Sequence, residues 1–383
     1  MITDPWHVPA APGAAEQLST RIVFFIAGLG TAAWAPLIPF VKARSGLSEA
    51  ALGLLLLCFG AGSIVTMPLA GALAGRFGCR VVLVAAAAVI CLILPVLATV
   101  STPLILTAAV LVFGAAIGGI DCAANIQAVI VEKASGRPMM SGFHGLFSAG
   151  GIVAAGGISA LLSVGASPLI AALCATGGVA AGLVTAAPHM LTYGGEGGGS
   201  VFVIPRGIVL FIGILCFIVF LTEGAALDWS AVFLTSLRGV APSRAGLGYA
   251  VFACTMTIGR LTGDRIVRRF GGRRVLVAGA SSAAAGLALV SLVPSRVAAI
   301  AGYALVGAGC SNIVPVLYSS VGRQTATPEH VAVAAITTLG YAGILAGPAA
   351  IGFVAQATSL SVALMIVAVL LLGVAAGGGR LRV

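Results

Sequence analysis

The feature that most constrains this chain is one long apolar segment bounded by Arg206 and Arg238. Between these two arginines the only charged residues are Glu223 and Asp228. A run this long and this apolar predicts a transmembrane helix rather than a helix in a soluble core. An acid near the centre of such a helix costs about 2.5–3.5 kcal/mol on insertion scales, so two acids in one span need a compensating reason. They indicate either a substrate or ion pathway, or a structural hydrogen-bonding centre at Glu223 with Asp228 near the outer interface.

The composition extends this conclusion to the whole chain. Of its 383 residues, 60% are hydrophobic and 8% are charged, and the mean hydropathy is +1.16. No soluble domain hides that much apolar surface, which predicts an all-α membrane protein with many spans in the lipid bilayer. The eight cysteines form no C-x-x-C or Cys/His cluster, so we predict no disulfide, no metal site and no cofactor.

The net charge of +10 is arranged as a topology signal rather than as a nucleic-acid-binding surface. With the spans given below, five basic residues fall on one side of the membrane: Lys42, Arg44, Arg238, Arg244 and Arg296. The other fifteen fall on the opposite side: Arg21, Arg76, Arg80, Lys133, Arg137, Arg206, Arg260, Arg265, Arg268, Arg269, Arg273, Arg274, Arg323, Arg380 and Arg382. By the positive-inside rule this asymmetry predicts that both termini lie in the cytoplasm.

Twelve transmembrane spans can be placed, at residues 21–41, 49–74, 80–99, 103–131, 139–163, 167–187, 206–236, 244–266, 274–293, 297–322, 330–355 and 359–376. The connections are short except for residues 189–205, a Gly-rich stretch that predicts a flexible cytoplasmic linker at the middle of the chain. The linker separates a six-helix bundle at residues 21–188 from a second one at residues 206–383. Residues 1–20 are predicted to form a cytoplasmic tail.

Short motifs recur between the two halves at nearly one offset. Arg76-Phe-Gly-Cys-Arg80 returns as Arg269-Phe-Gly-Gly-Arg273, 193 residues later. Ser48-x-Ala-x-Leu-Gly53 returns as Ser243-x-Ala-x-Leu-Gly248, 195 residues later. The repeat predicts two pseudo-symmetric six-helix bundles with a substrate site between them near mid-membrane.

The repeated motif resembles the cytoplasmic signature of the major facilitator superfamily. It reads Gly71-Ala-Leu-Ala-Gly-Arg-Phe-Gly-Cys-Arg80 in the first half and Gly259-Arg-Leu-Thr-Gly-Asp-Arg265 in the second. Residues 34–39, 141–148 and 340–348 resemble a bacterial branch of that superfamily, which includes the rhizopine-transport membrane protein and inner-membrane permeases. The resemblance covers nearly the whole chain. It implies the major facilitator fold and alternating access between two bundles, usually driven by a proton gradient.

One departure from the family pattern concerns the predicted cytoplasmic gate. Gly75 stands where the first signature usually has an acid, whereas the second half keeps Asp264. In the family this acid helps to hold the cytoplasmic side closed. We therefore expect an asymmetric latch, in which only the second half contributes an acid and Asp264 pairs with Arg265, Arg268 or another nearby arginine. The predicted gate residues are Asp264, Arg265, Arg268, Arg269 and Arg76. Alternatively, the arginines only anchor the topology against anionic headgroups.

The fourth span carries a polar stripe. Asn125 and Glu132 lie four and eleven residues after Asp121, which places all three near one face of a helix. His144, in the next span, reaches a depth comparable to that of Asp121, so a His–Asp contact is possible. Histidine titrates near neutral pH and could relay a proton. The alternative is that His144 bridges helices as a structural donor.

Candidates for substrate contact are the polar and aromatic groups near mid-membrane: Trp34, Asn125, Glu223, Asn312 and Tyr341. Pro36 and Pro39 are expected to bend the first span near Trp34. A ring flanked by amides and acids suits a small polar or sugar-like solute. An apolar or cationic drug is the alternative.

For proton coupling we favour Glu223, because desolvation at mid-membrane favours the neutral acid. Asp121 is the rival and His144 could assist. Asp228 is a further candidate, about 140° around the helix from Glu223 and closer to the periplasm. The sequence therefore predicts a monomeric, proton-coupled secondary transporter, not an enzyme, whose partners are a small-molecule substrate and protons. The alternatives are a proton-driven efflux pump, a membrane-embedded enzyme that uses Asp121 and His144 as acid and base, and a non-transporting receptor.

Overall fold

The fold is seen in a computed structural model, which describes residues 11–195, 205–241, 244–324 and 327–381. Within these ranges the regular secondary structure is entirely helical. The first half contains α1 (Ala14–Ala32), α2 (Ile38–Ser45), α3 (Glu49–Phe77), α4 (Cys79–Thr99), α5 (Pro103–Ser135), α6 (Met140–Ser163) and α7 (Pro168–Ala186). The second half contains α8 (Gly207–Arg238), α9 (Leu247–Phe270), α10 (Gly272–Leu292), α11 (Arg296–Cys310), α12 (Ile313–Val321), α13 (Glu329–Ala357) and α14 (Leu360–Gly378).

These helices make the twelve predicted spans, because α1 with α2 and α11 with α12 each form one interrupted span. The first interruption is a 3-10 turn at Ala35–Leu37, where Pro36 and Pro39 remove backbone donors. Within the described residues, eleven spans are long and apolar enough to cross a membrane. The twelfth, α9, is less apolar because it carries five charged residues. The prediction of a twelve-span, all-α membrane protein is confirmed.

The internal repeat is visible in local geometry. Gly78 joins α3 to α4 with φ +87°, and Gly271 joins α9 to α10 with φ +80°. Such a positive φ is readily adopted only by glycine, so both tight connections require it. Arg44 donates hydrogen bonds to carbonyls around the end of α4, and Arg238 does the same at the end of α10. The two halves therefore build equivalent helix connections with equivalent residues.

The halves meet along two seams, α3 against α13 and α6 against α9. Both seams are tight near the face of the bundle where α1 begins and α14 ends, which we call the termini face. A Cβ on Gly71 would lie 2.5 Å from that of Ala334, so only small residues allow this approach. Towards the opposite face α6 loses its contacts with α9: a Cβ on Gly156 would meet no atom within 4 Å, and Ile152 is 58% exposed, whereas α3 and α13 stay in contact as far as Gly60 and Leu345. The molecule is thus sealed at the termini face and opens along α6 towards the opposite face.

The first part of the predicted linker packs against the first half of the molecule. Arg80 N–H donates to the carbonyl of Leu191 at 2.8 Å, and Leu191 N–H donates to Gln127 Oε1 at 3.0 Å. Gln127 in turn donates to Thr20 at 3.0 Å. Residues 190–195 of the predicted linker at 189–205 are therefore held by hydrogen bonds rather than free. Residues 196–204 of that linker, residues 1–10 of the predicted tail and Ser243 of the repeat lie outside the described residues.

Candidate functional site

A buried ion pair joins α8 to α9 near the middle of the bundle. Arg260 Nη2 donates to Glu223 Oε1 at 3.2 Å, and the side chains are only 8% and 16% exposed. Arg260 Nη1 also donates to Ser148 Oγ on α6 at 3.2 Å. Glu223 is therefore held by a cation that also contacts the other half of the molecule.

The placement of Arg260 corrects the sequence analysis, which grouped it with the basic residues of the cytoplasmic side. Arg260 lies ten residues before the end of α9, about 15 Å at 1.5 Å per residue, and is 7% exposed. It is a buried counter-ion and not a topology anchor. Its position well inside the span predicted at residues 244–266 was the signal that could have identified it. The remaining basic residues keep the same asymmetry, so the topology argument is unaffected.

A hydrogen-bonded chain runs from α6 to α5. His144 Nε2 lies 3.2 Å from Asn125 Oδ1, and Asn125 Nδ2 donates to the backbone carbonyl of Asp121 at 2.9 Å and to its carboxylate at 3.4 Å. The amide oxygen of Asn125 is the acceptor here, so His144 is the donor. The possible direct contact between His144 and Asp121 is therefore absent, and Asn125 connects them. His144 also packs against the rings of Phe24 and Tyr318, as expected of a residue that bridges helices.

The acids differ in their partners. Asp121 is partly exposed, and no Lys, Arg or His side chain of the described residues lies within 4 Å of its carboxylate. Asp228 is exposed on α8, away from Glu223. The middle of the bundle thus holds one neutralised acid, Glu223, and one acid without a cationic partner, Asp121.

The other residues predicted to contact substrate fall into two groups. Tyr341 is partly exposed beside the ring of Phe220. Trp34 is buried against Phe113, and Asn312 donates to the backbone carbonyl of Gly259 at 3.1 Å where α11 breaks into α12. Trp34 and Asn312 are therefore packed between helices in this arrangement, each with one buried polar atom that has no partner among the described residues, and Tyr341 is the more accessible side chain. Contact of these three residues with a substrate stays a prediction.

The predicted latch has a different chemistry from the one expected. Asp264 accepts a hydrogen bond from the backbone N–H of Gly142 at 3.0 Å, and the described residues place no arginine within 4 Å of it. The first N–H groups of a helix lack partners within the helix, so a carboxylate satisfies them well at the start of α6. The predicted pairing of Asp264 with Arg265, Arg268 or another nearby arginine is thus wrong for the described residues, because none of these arginines reaches its carboxylate.

The two arginines of the repeated motif also lie apart from Asp264. Arg76 lies over the ring of Phe77, with its guanidinium carbon 5.1 Å from the ring centroid, and Arg269 lies over Phe270 at 5.5 Å. The matching geometry follows from the internal repeat. Among the described residues neither arginine forms an ion pair with the opposite half, so both fit the alternative role as anchors.

The other seam explains why the first signature lacks its acid. His330, at the start of α13, is fully buried, and a Cβ on Gly75 would lie 2.6 Å from its ring. An acidic side chain at position 75 would collide with this imidazole. An ion pair between Lys133 of α5 and Glu329 of α13 lies at the same face. Neither contact could be predicted from the sequence, since nothing in the spacing of these residues relates the two halves.

We expect Gly142→Ala to open the termini face. The added Cβ would lie 2.4 Å from Asp264 Oδ2 and would displace this carboxylate from the N–H of Gly142, so the α6–α9 seam would lose a hydrogen bond. Spin labels at the exposed positions Ala134 and Arg274, one in each half, should then show longer distances, and Asp264→Asn should act in the same direction. Gly156→Ala, on the same helix but with open space around it, is the matched control. Identical distance distributions in Gly142→Ala and Gly156→Ala would show that this contact does not seal the bundle.

Comparisons with known proteins agree with this architecture. The chain matches no protein-family profile. It is 60% identical to an uncharacterized MFS-type transporter of Yersinia pestis over 95% of both chains. It is 32% identical to the membrane protein MosC of Rhizobium meliloti, over 90% of this chain and 84% of that protein.

Solved structures show the same fold at low sequence identity. The E. coli fucose:proton symporter FucP superposes with a TM-score of 0.79 and 17% identity, over 94% of this chain and 97% of FucP. The human organic anion transporter MFSD10 superposes with a TM-score of 0.76 and 15% identity, over 97% of this chain and all of that one.

Two six-helix bundles that pack along two seams around a polar centre are the architecture of a class of membrane transporters built from repeats. With the 60% identical relative, the assignment is specific: the chain belongs to the major facilitator superfamily, a class of transporters and not of enzymes.

Proposed function

We propose that this protein is a proton-coupled transporter that moves a small polar solute across the bacterial inner membrane, with both termini in the cytoplasm. The observation that carries the proposal is the buried pair of Glu223 and Arg260 in the middle of the membrane-spanning region. A buried ion pair is costly to keep and costly to break, so acids at such positions are by default part of a substrate or ion pathway.

The coupling step follows from the partners of Arg260. Arg260 holds Glu223 on α8 and Ser148 on α6, so one guanidinium contacts both halves. A proton on Glu223 removes its charge and frees Arg260 to move. Because Ser148 lies on the seam that seals the termini face, this movement loosens the contact between the halves. Protonation is thereby linked to the change from the outward-open to the inward-open state.

The direct test is solute-driven proton movement in liposomes that contain the purified protein. Neutral polyols and sugars such as fucose, glucose and myo-inositol, together with their acidic and amino derivatives, form the panel. We expect one or more of them to accumulate when the outside is more acidic, with a matching rise of external pH. Accumulation that is indifferent to the pH gradient would contradict coupling, and extrusion against the gradient would favour the efflux alternative.

The topology is tested by cysteine labelling from outside intact cells. Native Cys79 is fully buried and reports on neither side, so exposed positions are needed. In a variant without the exposed Cys174 and Cys254, a cysteine at Ser101 on the open face should be labelled and one at Ala134 on the termini face should not. Labelling of Ala134→Cys alone would place the termini in the periplasm.

A further inference from the structure

The geometry points to Arg260 as an anion-binding site: we propose that the transported solute is a small hydroxylated carboxylic acid whose carboxylate binds the Arg260 guanidinium. This inference rests on the proposed function, because it names the substrate class of the same site.

The guanidinium of Arg260 is incompletely satisfied. Nη1 donates to Ser148, and the contacts with both carboxylate oxygens of Glu223, at 3.2 and 3.5 Å, come from Nη2 alone. The Nε–H, which is buried, has no partner among the described residues. An arginine offers five N–H donors and usually meets a carboxylate with two parallel hydrogen bonds from two nitrogens. Arg260 therefore keeps an unpaired Nε–H, and once a protonated Glu223 releases Nη2 it offers a pair of donors that suits a second carboxylate.

Arg260 lies where a solute from the open face would arrive. Arg260 contacts Ser148 on the α6–α9 seam, further from the termini face than the contacts at Gly145 and Gly142. From Ser148 the seam continues to the termini face through these two glycines. One helical turn further out, Ile152 is 58% exposed and the helices have separated. The guanidinium is thus at the floor of the opening between the halves.

Charge balance links the anion to the proton. When Glu223 is ionised, it neutralises Arg260, whereas a proton on Glu223 leaves a buried cation without a counter-ion, which is strongly unfavourable. A carboxylate on the solute restores the balance, so proton and anion load together. The other titratable groups that interact with this pair are His144 on α6, Cys216 on α8, Tyr249 on α9 and Cys310 on α11. None of them carries a permanent positive charge that could replace Arg260.

The rest of the site favours hydroxyl groups and a single carboxylate. Asp121 is partly exposed, has no cationic partner among the described residues and is linked through Asn125 to His144, which interacts with Arg260. Its oxygens can accept hydrogen bonds from hydroxyls. The same carboxylate would repel a second negative charge. The solute class is therefore a hydroxylated monocarboxylate, which keeps the small polar character of the proposed substrate.

The test compares probes that differ in charge, by their effect on the thermal stability of the purified protein. Gluconate, glucose and glucosamine represent negative, neutral and positive six-carbon solutes, and lactate and glycerate extend the acid series. A ligand that binds the folded state raises its apparent stability. We expect stabilisation by one or more of the carboxylates, larger at acidic than at neutral pH. In Arg260→Lys the affinity should fall roughly tenfold or more, because the paired donors are lost. Arg265→Lys, exposed on the same helix, is the matched control.

Three outcomes would overturn the inference: stabilisation by glucose or glucosamine alone, no stabilisation by any carboxylate, or an undiminished carboxylate effect in Arg260→Lys. The proposed function fails separately. Gradient-driven uptake of a neutral sugar would keep the proposed function and remove the anion site. Carboxylate binding that needs Arg260, without gradient-driven transport, would keep the anion site and remove proton coupling.

Discussion

Glu223→Gln is expected to abolish accumulation of solute driven by a pH gradient, while exchange of labelled for unlabelled solute across liposomes survives. Glutamine cannot release a proton, so it imitates the permanently protonated acid, and its amide oxygen can still accept a hydrogen bond from Arg260. The carrier can then alternate with solute bound but cannot use the gradient. The measurement is uptake with and without the gradient, compared with exchange at equal pH on both sides.

Asp228→Asn provides the matched control for this prediction. Asp228 lies five residues further along α8 and is exposed, so the same chemical change there should leave gradient-driven uptake in place. If gradient-driven uptake persists in Glu223→Gln and is lost in Asp121→Asn, Asp121 and not Glu223 is the residue that carries the proton. Loss of solute binding itself in Glu223→Gln would make Glu223 a substrate ligand instead.

Arg260→Gln is expected to lower the free energy of unfolding by about 3–5 kcal/mol, since it leaves Glu223 buried without its counter-ion. The loss should be largest at neutral and alkaline pH and smaller in acid, because a protonated Glu223 no longer needs the cation. Unfolding in mixed micelles at several pH values would measure it.

Two further variants make the interpretation specific. The double variant Arg260→Gln with Glu223→Gln removes both charges and should recover much of the lost stability. Arg265→Gln changes an exposed arginine on the same helix and should stay within about 0.5 kcal/mol of the unchanged protein. An equal loss in Arg260→Gln and Arg265→Gln would mean that the pair contributes nothing particular to the fold.

The repeat and the signature indicated the correct fold because each depends on residues near one another in the chain. Each tight connection requires a glycine, Gly78 in the first half and Gly271 in the second. Both glycines lie in the five-residue motif that occurs once in each half. The break in the first span follows from Pro36 in the same way. The position of Glu223 in the middle of its span was equally readable, because the lengths of the apolar runs fix depth along the membrane.

The partners of the charged residues were not readable from the sequence. Asp264 accepts a hydrogen bond from the start of α6 instead of pairing with an arginine. Asn125 bridges His144 and Asp121 by hydrogen bonds to both. Arg260 was assigned to the wrong group because a count of charges by loop ignores how far a residue lies inside its helix. Each of these contacts joins helices whose relative rotation and depth no spacing within one helix determines.

The sequence by itself determined the twelve spans, their division into two related halves and the presence of two acids in one apolar span, because hydrophobicity, proline and glycine act locally. Only the tertiary structure decided that Glu223 is paired with Arg260, that His330 fills the space of the missing acid at Gly75, and that the seams close at the termini face. These are contacts between distant segments, and they form only where the packing of one helix against another brings two side chains to the same place.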